Sequence, residues 1–188
     1  MKTRTCVGVV LLCVTIPPGF VAPSSGSAVD AQAPTAAPAT DASCPVTQPN
    51  GRQYADEPAG GNFGNDAIVT GQWPDGRVHF RPGGPGCVEP GGYLGMKWPW
   101  WRVADGTLTV DGRHLDGSAG PLRAHIPSGY GADGFQSSGL LFAGPGCWEV
   151  TARVGDKSLS FVTLVTKEGE GPAPRCSLLF GGFRPGPW

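Results

Sequence analysis

The stretch that decides the fold is GPGCWEVTARVGDKSLSFVTLV, which runs from Gly144 to Val165. Apolar and polar residues alternate from Trp148 to Val154, the chain passes through Gly155-Asp156, and the alternation then resumes. A period of two is typical of a strand with one buried face. A Gly-Asp pair between two such runs indicates a tight turn. The stretch therefore predicts a β-hairpin whose first strand packs one face on a hydrophobic core.

The same alternation orients Cys147, which precedes the apolar row of the first strand. That row consists of Trp148, Val150, Ala152 and Val154. Cys147 falls on the opposite face, so we expect it to point away from the core and to bond to a peripheral segment of the chain. Cys44, on the N-terminal arm, is the favoured partner. In the chain-entropy model, closing a loop of that length stabilises a fold by roughly 4–5 kcal/mol.

The N-terminus predicts a secretory signal peptide over residues 1–28. Lys2 and Arg4 precede the apolar run CVGVVLLCVTI, which is too short to span a bilayer. Small residues favour cleavage after Ala28, with cleavage after Ala33 as the alternative. We therefore expect the mature chain to begin beyond this leader.

We expect a secreted, extracytoplasmic protein that is not inserted in a membrane once the leader is cleaved. No second apolar stretch approaches the length of a membrane span. Lipidation at Cys13 is disfavoured because Leu12 precedes it, where a small residue is needed. Removing Lys2 and Arg4 from the 14 basic residues leaves 12 against 15 acidic ones, a net charge of −3. No basic block remains, so nucleic acid is not an expected partner.

Four of the six cysteines remain after this cleavage: Cys44, Cys87, Cys147 and Cys176. An even number in an exported chain predicts two disulfides, for which three connectivities exist. Pairing of Cys44 with Cys147 and of Cys87 with Cys176 is favoured. The cysteines lie too far apart in sequence to form the closely spaced pairs of a zinc site.

Glycine and proline limit the secondary structure of the rest of the chain. The 188 residues include 31 Gly and 20 Pro, which interrupt almost every window that could hold a long helix. Between them lie about eight short runs rich in Val, Thr, Phe and Trp, separated by turn residues. This spacing predicts an all-β sandwich or barrel.

Three of these runs carry more specific expectations. AIVTGQW and RVHFR flank the turn signal Pro74–Gly76 and predict a hairpin. TLTV is followed by Asp111-Gly112, which indicates a further strand or a tight hairpin. YLGMKWPWWRV, residues 93–103, predicts a strand that Pro99 interrupts, at a sheet edge or at a bulge, because proline cannot donate to a ladder.

The composition divides the chain into five parts. They are the signal peptide (1–28), an Ala/Pro/Thr-rich disordered linker (29–43), an irregular arm (44–61), a single β-domain (62–166) and a Pro/Gly-rich C-terminal arm (167–188). The linker has no large apolar residue after Val29 and cannot build a core. In the last part, SLLF beside Cys176 is a candidate edge strand.

The stretch PGCWEVTARVGDKSLSFVTLV resembles the closing hairpin of immunoglobulin-like domains in secreted bacterial proteins. In those domains a Pro-Gly corner precedes an aromatic residue. Here Pro145-Gly146 supplies the corner, and Trp148 stands where Tyr is more usual. KWPWWR, DGRHLDG and GYGADGFQSSGLLF are similar to stretches of small secreted bacterial proteins of unassigned function. The resemblance spans roughly Tyr93–Thr166 and implies an immunoglobulin-like β-sandwich that serves as a scaffold or a binding module.

The most notable candidate ligand site is an aromatic cluster with a cation at each end: Trp98, Trp100, Trp101, Lys97 and Arg102. Flat aromatic rings beside cationic groups suit stacking on sugar rings. However, Trp98 and Trp100 share a face with Met96, which favours burial, whereas Trp101 faces the other way with Lys97. Core or rim packing is the favoured interpretation, and a glycan platform is the alternative.

No residue pattern warrants a catalytic or metal site. His79, His114 and His125 lie in separate runs without a closely spaced His or Cys. DGRHLDG lacks the ligand spacing of a calcium-binding loop. The patterns Gly-x-Ser-x-Gly and His-Glu-x-x-His do not occur. We therefore expect no enzymatic activity, no cofactor and no bound metal.

The expected function is that of an exported, non-catalytic binding or structural module. Its partner would be an extracellular protein or a glycan, and the protein is expected to be a monomer. The first alternative is a secreted proteinase inhibitor that presents a loop such as Pro82–Gly92 or Ser128–Gly134, because a rigid loop lowers the cost of binding. A third possibility is a carbohydrate-binding module that uses the tryptophan cluster.

Overall fold

The computed structural model describes residues 44–54, 62–117, 119–172 and 176. The predicted signal peptide and linker, at 1–43, and the SLLF run, at 177–180, lie outside the described residues. Within them the chain is all-β, as the sequence predicts. The strands are β1 (Asn62–Gly64), β2 (Ile68–Gly71), β3 (Arg77–Phe80), β4 (Cys87–Val88), β5 (Leu94–Arg102), β6 (Leu108–His114), β7 (Arg123–His125), β8 (Gly134–Phe142), β9 (Gly146–Val154) and β10 (Lys157–Lys167).

The strands form two sheets. The larger sheet has the order β1-β2-β5-β8-β7, and β4 pairs with β5 beyond the end of β2. The smaller sheet has the order β3-β10-β9-β6. Every pair is antiparallel except β3 with β10. The longest pairings are β5 with β8 and β9 with β10, and they form the centres of the two sheets.

The core lies between the sheets, as in a β-sandwich, and large aromatic side chains fill its centre. Trp98 of the larger sheet stacks on Phe161 of the smaller one, with ring centroids 5.5 Å apart. The indole N–H of Trp98 donates to Thr70 Oγ1, and that of Trp100 donates to Ser138 Oγ, each at 2.8 Å. Both buried indoles therefore have the partners that burial of a polar N–H requires.

The hairpin β9–β10 forms as predicted. Gly155 and Asp156 make the turn, and Gly155 has a φ of 58°, which favours glycine. The apolar row of β9 is buried throughout: Trp148, Val150, Ala152 and Val154. On the other face Glu149 is half-buried and Arg153 is exposed. The alternation in sequence thus identifies both the strand and its buried face.

The two outer faces, those turned away from the core, carry one disulfide each, in the pairing that the sequence favours: Cys44–Cys147 on the smaller sheet and Cys87–Cys176 on the larger. Cys147 stands opposite Leu164, which is buried outside the main core. On the larger sheet, Cys87 of β4 clusters with the buried Leu141 of β8. Each disulfide therefore lies beside a leucine that points away from the core and is nevertheless buried.

The arm at 44–54 joins the two sheets. The Thr47 amide donates to the Val162 carbonyl at 2.9 Å, and the Val162 amide donates to Thr47 Oγ1 at 2.8 Å. Further along, Asn50 Nδ2 donates to the Gly64 carbonyl at 2.7 Å, and the Gly64 amide donates back to Asn50 Oδ1 at 3.1 Å. The arm thus has no strand of its own, yet it bonds to β10 of one sheet and to β1 of the other.

The hairpin predicted across Pro74–Gly76 does not form. The turn instead carries the chain from β2 in the larger sheet to β3 in the smaller sheet, where β3 pairs in parallel with β10. The Thr163 hydroxyl donates to the Gly76 carbonyl at 2.8 Å, which fastens the turn to β10. A Pro-Asp-Gly signal predicts a turn but does not determine whether the next strand returns to the same sheet.

The turn considered at Asp111-Gly112 is absent, because β6 runs through it as one strand. A Cβ at Gly112 would lie 2.7 Å from the Glu149 carbonyl oxygen and 3.0 Å from Leu122 Cδ2. The glycine therefore permits close approach of neighbouring chain within a strand, which is the other common role of glycine in a β-sheet.

Strand β5 continues through Pro99 and is central rather than at an edge, contrary to the predicted interruption. The Pro99 carbonyl accepts a hydrogen bond from Thr70 Oγ1 at 2.9 Å, so its backbone faces the β2 side. Pairing with β2 ends where Thr70 stands opposite Trp100. The missing N–H of the proline thus falls just beyond that pairing, where the ladder needs no donor.

Candidate binding face

The structure separates the predicted tryptophan cluster into core and surface. Trp98 and Trp100 are 1% and 0% exposed and belong to the hydrophobic core. Their assignment to a possible ligand site is therefore corrected to core packing, because a sugar ring cannot reach them. Trp101 and Lys97 lie on the outer face of the larger sheet, where they are half-buried and exposed, respectively. These two side chains stay candidates for ligand contact.

Arg102, the last member of the predicted cluster, is 3% exposed and positions a loop instead. Its guanidinium donates four hydrogen bonds of 2.5–3.2 Å to backbone carbonyls, those of Gly106, Gly131, Ala132 and Asp133. Three of these carbonyls belong to the loop Ser128–Gly134. Because a guanidinium holds several acceptors in a fixed planar arrangement, Arg102 fixes the conformation of this loop.

The loop Ser128–Gly134 presents Tyr130 to solvent. Tyr130 is 39% exposed, and Gly129 before it has a φ of 93°. At the base of the loop, Gln136 Nε2 donates to the Pro127 carbonyl at 3.0 Å. Gln136 and Arg102 therefore both hydrogen-bond to the backbone at and within the loop, and Tyr130 projects from a backbone whose conformation these bonds fix.

Three rings form an aromatic patch on the outer face of the larger sheet: Trp101, Tyr130 and Phe135. Trp101 and Phe135 stand directly opposite each other on β5 and β8, with ring centroids 5.7 Å apart and planes inclined at 60°. The Tyr130 ring lies 6.3 Å from the Phe135 ring, at 66°. Phe135 is 48% exposed. The patch therefore offers accessible ring surface in several orientations.

A shallow groove, the Lys97 groove, lies on the same side of the sheet and has a volume of about 230 Å³. Among the residues that line it are Lys97, His125, Tyr130, Ser137 and Gly139. Gly139 is the register partner of Lys97 on one neighbouring strand and of His125 on the other. A residue without a side chain thus separates an ammonium group from an imidazole, and Ser137 and Tyr130 add hydroxyl groups.

A larger cleft of about 550 Å³ also borders Tyr130, and its lining includes Arg102, Leu108 and Gln136. Arg102 Nε and Gln136 Oε1 are buried without a hydrogen-bond partner among the described residues. Both atoms are closed off from solvent. These two atoms are therefore not available to a ligand unless the side chains move. The aromatic patch with the Lys97 groove is the better candidate for a ligand-binding site.

Several charges on the outer side of the smaller sheet and at its β9–β10 turn pair with one another. The pairs are Arg113–Glu149 at 2.7 Å, Arg153–Asp111, and Lys157–Asp156 at 3.1 Å. The hydrogen bond from Lys157 lowers the pKa of the exposed Asp156 carboxyl. Lys97 has no carboxylate within 4 Å among the residues that the structure describes. The larger sheet thus presents a charge that the fold itself does not neutralise.

The three histidines do not converge. His79 Nδ1 bonds Thr166 Oγ1 at 2.7 Å, His114 Nε2 bonds the Pro145 carbonyl at 3.1 Å, and His125 borders the Lys97 groove. Within the described ranges, no three His, Cys, Asp or Glu side chains come together to hold a metal ion. Those ranges also contain no helix that is long and apolar enough to cross a bilayer.

Sequence reasoning missed Phe135 and Tyr130 as candidate contacts. The run FQSSGLLF predicts a strand, and alternation places Phe135 on the face shared by Ser137 and Gly139. Two small residues on one face leave a large ring without apolar neighbours along its own strand, which is a signal for exposure. Tyr130 carries no such pattern, because its exposure depends on the loop conformation that Arg102 imposes.

Comparison with known proteins adds no family to this description. The chain matches no protein-family model, and no curated protein is significantly similar to it.

Proposed function

We propose that this protein is an exported, non-catalytic module that binds carbohydrate through the aromatic patch and the Lys97 groove. One observation carries the proposal. The exposed large hydrophobic side chains of the described residues are Val103, Tyr130 and Phe135. Phe135 stands opposite Trp101, Tyr130 packs against Phe135, and Val103 lies two residues from Trp101 in sequence. A solvent-exposed apolar cluster that packing does not require is typical of an interaction site.

The surroundings of the patch favour a sugar over a purely apolar ligand. A sugar ring has apolar C–H faces and hydroxyl groups around its edge, so it needs an aromatic surface flanked by hydrogen-bonding groups. Tyr130 contributes to both the patch and the groove, and Ser137 lies two residues from Phe135 on the same face of β8. Binding sites typically combine apolar surface with a few convergent polar groups in this way.

The size of the site also favours a slender ligand. The Lys97 groove, at about 230 Å³, is smaller than the pockets of roughly 300–1,000 Å³ that hold drug-sized molecules. A stable protein partner usually covers about 800 Å² on each side. A few sugar units lying along the outer face would use the patch and the groove without needing so large a surface.

The geometry of the loop Ser128–Gly134 weighs against the proteinase-inhibitor alternative. A protease binds an extended segment, in which successive carbonyls point in opposite directions. The carbonyls of Gly131, Ala132 and Asp133 all bond the Arg102 guanidinium. This part of the loop is therefore curled around Arg102 and does not offer an extended backbone.

The second candidate inhibitor loop, Pro82–Gly92, is built from turns. The Gly84 amide donates to the Arg81 carbonyl and the Gly92 amide to the Glu89 carbonyl, each at 2.9 Å. Cys87, between these turns, is bonded to Cys176 and paired in β4. This loop also lacks a long extended stretch for a protease to grip.

We propose an immunoglobulin-like sandwich, secreted and monomeric, as the scaffold of this module. Its support is the closing hairpin, in which the Pro145-Gly146 corner is followed by Cys147 and then Trp148, and the face-to-face arrangement of a larger and a smaller sheet. Two disulfides on the outer faces suit an oxidising, extracytoplasmic setting. The bacterial origin implied by the resemblance belongs to this proposal as well.

The test is retention of the mature protein, residues 29–188, by polysaccharides. Cellulose, chitin, xylan, peptidoglycan and polygalacturonate are compared by co-sedimentation or by affinity electrophoresis. We expect binding to at least one of them, loss of that binding in Phe135→Ser, and no change in Thr109→Ala, an exposed position on the smaller sheet. Failure to bind any of the five, or wild-type binding by Phe135→Ser, would overturn the proposal.

A further inference from the structure

We propose that the carbohydrate is an acidic one, a chain that carries uronic-acid carboxylates, and that a carboxylate seats in the Lys97 groove over Gly139. This inference rests on the proposed function, because it names the class of sugar for the same site. It depends on the charge and the register of the three strands β5, β8 and β7.

These strands contain basic residues and no acidic ones. Their sequences, LGMKWPWWR, RAH and GFQSSGLLF, include Lys97, Arg102, Arg123 and His125 but no Asp or Glu. Arg102 points inward and is buried, whereas alternation places the other three on the outer face. The outer face of β5, β8 and β7 therefore presents the Lys97 ammonium with no acidic residue on the same strands, which favours an anionic ligand.

None of the described residues that line the Lys97 groove is acidic. Lys97 is exposed and has no carboxylate within 4 Å among the described residues. The Arg123 guanidinium lies over the Tyr93 ring at 4.0 Å from its centroid. The acidic residue closest in sequence to β8 is Asp133, whose backbone carbonyl accepts a hydrogen bond from Arg102 and whose side chain does not line the groove.

The register creates a seat for a carboxylate. Lys97, Gly139 and His125 stand side by side on three adjacent strands, which are spaced about 4.8 Å apart. Since Gly139 has no side chain, a group about the size of a carboxylate can lie above it, between the Lys97 ammonium and the His125 ring. Ser137 and Tyr130 line the same groove and supply hydroxyl groups to the neighbouring sugar atoms.

The distance from this seat to the aromatic patch sets the length of the ligand. Phe135 and Gly139 are four residues apart on β8, and a strand rises about 3.4 Å per residue, so they are about 14 Å apart. A single sugar ring cannot span both, whereas a short oligosaccharide can. The rings of the patch are inclined at 60° and 66°, so they do not form one plane for a flat crystalline surface. A soluble single chain is the expected ligand.

The experiment uses a pair of probes with the same sugar backbone, oligogalacturonate and its methyl ester, in which esterification replaces each carboxylate charge by a neutral methyl ester. Calorimetric titration of the mature protein at about 0.01 M salt is expected to show the acid binding about five-fold more tightly than the ester, as a modest surface charge interaction predicts. At about 1 M salt the difference should disappear, because exposed charges are then screened. Polyglutamate serves as a probe with the charge but without the sugar.

Three variants assign the effect to the groove. Lys97→Met keeps most of the length of the side chain and removes its charge, so it should bring the affinity for the acid down to that for the ester. Lys157→Met, on the smaller sheet, is the matched control and should leave the ratio unchanged. Phe135→Ser should weaken both probes together, because the patch contacts sugar regardless of charge.

The outcomes separate this inference from the proposed function. Equal binding of acid and ester by the wild type, or an unchanged ratio in Lys97→Met, overturns the acidic preference and leaves carbohydrate binding in place. Polyglutamate that binds as tightly as oligogalacturonate shows recognition of charge alone and overturns the acidic sugar. Loss of both probes in Phe135→Ser together with a lower ratio in Lys97→Met supports the whole account.

Discussion

The two outer faces of this molecule treat their charged and aromatic side chains differently. On the smaller sheet Arg113 bonds Glu149 directly across the strands at 2.7 Å. Thr151 and Ser160 are likewise opposite each other, with their hydroxyl groups 2.8 Å apart. On the larger sheet, Lys97 has no such carboxylate partner among the described residues, and Phe135 is 48% exposed.

The difference teaches where to look for function in a fold with few distinctive motifs. A face whose polar groups satisfy one another has little left to offer a ligand, since each cross-strand pair contributes modestly to stability and neutralises its own charge. A face with an unpaired cation and exposed rings keeps its binding capacity. The core and both disulfides support the two faces in similar ways, so the contrast lies in surface chemistry.

The largest expected effect concerns the two disulfides, one of which lies on each outer face. Removing the first bridge with Cys44→Ala and Cys147→Ala, or the second with Cys87→Ala and Cys176→Ala, should lower the free energy of unfolding by about 4–5 kcal/mol in each case. The two losses should be similar because the sequence separations, 103 and 89, enter only through a logarithm. Urea denaturation measures both. A loss confined to one bridge would show that one outer face depends on its arm and the other does not.

A slightly smaller effect tests the boundary between core and outer face in β9. Trp148→Ala removes a fully buried ring and should cost roughly 3–5 kcal/mol of stability. Glu149→Ala, at the next position, faces outward and should cost no more than about 1 kcal/mol, the upper range for an exposed ion pair. Denaturant melts of both variants provide the comparison. If Glu149→Ala were the more damaging, the assignment of faces in the smaller sheet would be reversed.

The loop that carries Tyr130 should respond to loss of Arg102. Arg102→Met keeps much of the apolar stem but withdraws the donors from four carbonyls, so we expect a loss of about 2–3 kcal/mol. Amide hydrogen exchange in Ser128–Gly134 should accelerate. Arg102→Lys should not restore it, because an ammonium lacks the planar fork. Unchanged exchange in the loop would mean that Tyr130 is supported by something other than Arg102.

The smallest expected effects on stability are those of substitutions at exposed side chains on the two outer faces. Phe135→Ser on the larger sheet should change the free energy of unfolding by about 0.5 kcal/mol or less, since the ring is exposed. Arg113→Ala on the smaller sheet should change it by about 1 kcal/mol or less, the upper range for the exposed ion pair with Glu149. Thermal melts under identical conditions check this. A large loss in Phe135→Ser would mean that its ring stabilises the fold, and the contrast between the faces would then be one of packing.

Alternation in sequence accounts for much of the fold. It identifies the buried row that begins at Trp148, the outward direction of Cys147 and its bond to Cys44, and the burial of Trp98 and Trp100. These features depend on a residue's immediate neighbours in a strand of period two, and that pattern is local. The core could therefore be assigned before any tertiary contact was known.

The features that sequence did not predict depend on distant chain. The turn at Pro74–Gly76 leads to the other sheet because β3 finds a partner in β10, almost ninety residues later. Arg102 is buried because carbonyls at 131–133 surround its guanidinium. Of the candidate site, Lys97 and Trp101 could be placed on the outer face in advance, whereas Tyr130 required the folded loop. Local pattern determines which face a side chain takes, and tertiary partners determine whether that face stays open.

The central claim is that the open face of the larger sheet binds a saccharide, and hydrogen exchange during titration tests it most directly. The mature protein is titrated with oligogalacturonate, and amide exchange is followed along β5, β8 and the loop Ser128–Gly134. The account predicts slower exchange in these segments as ligand is added, with no change in β6 and β9 of the smaller sheet. Protection confined to β6 and β9, or no protection anywhere at saturating ligand, would contradict it.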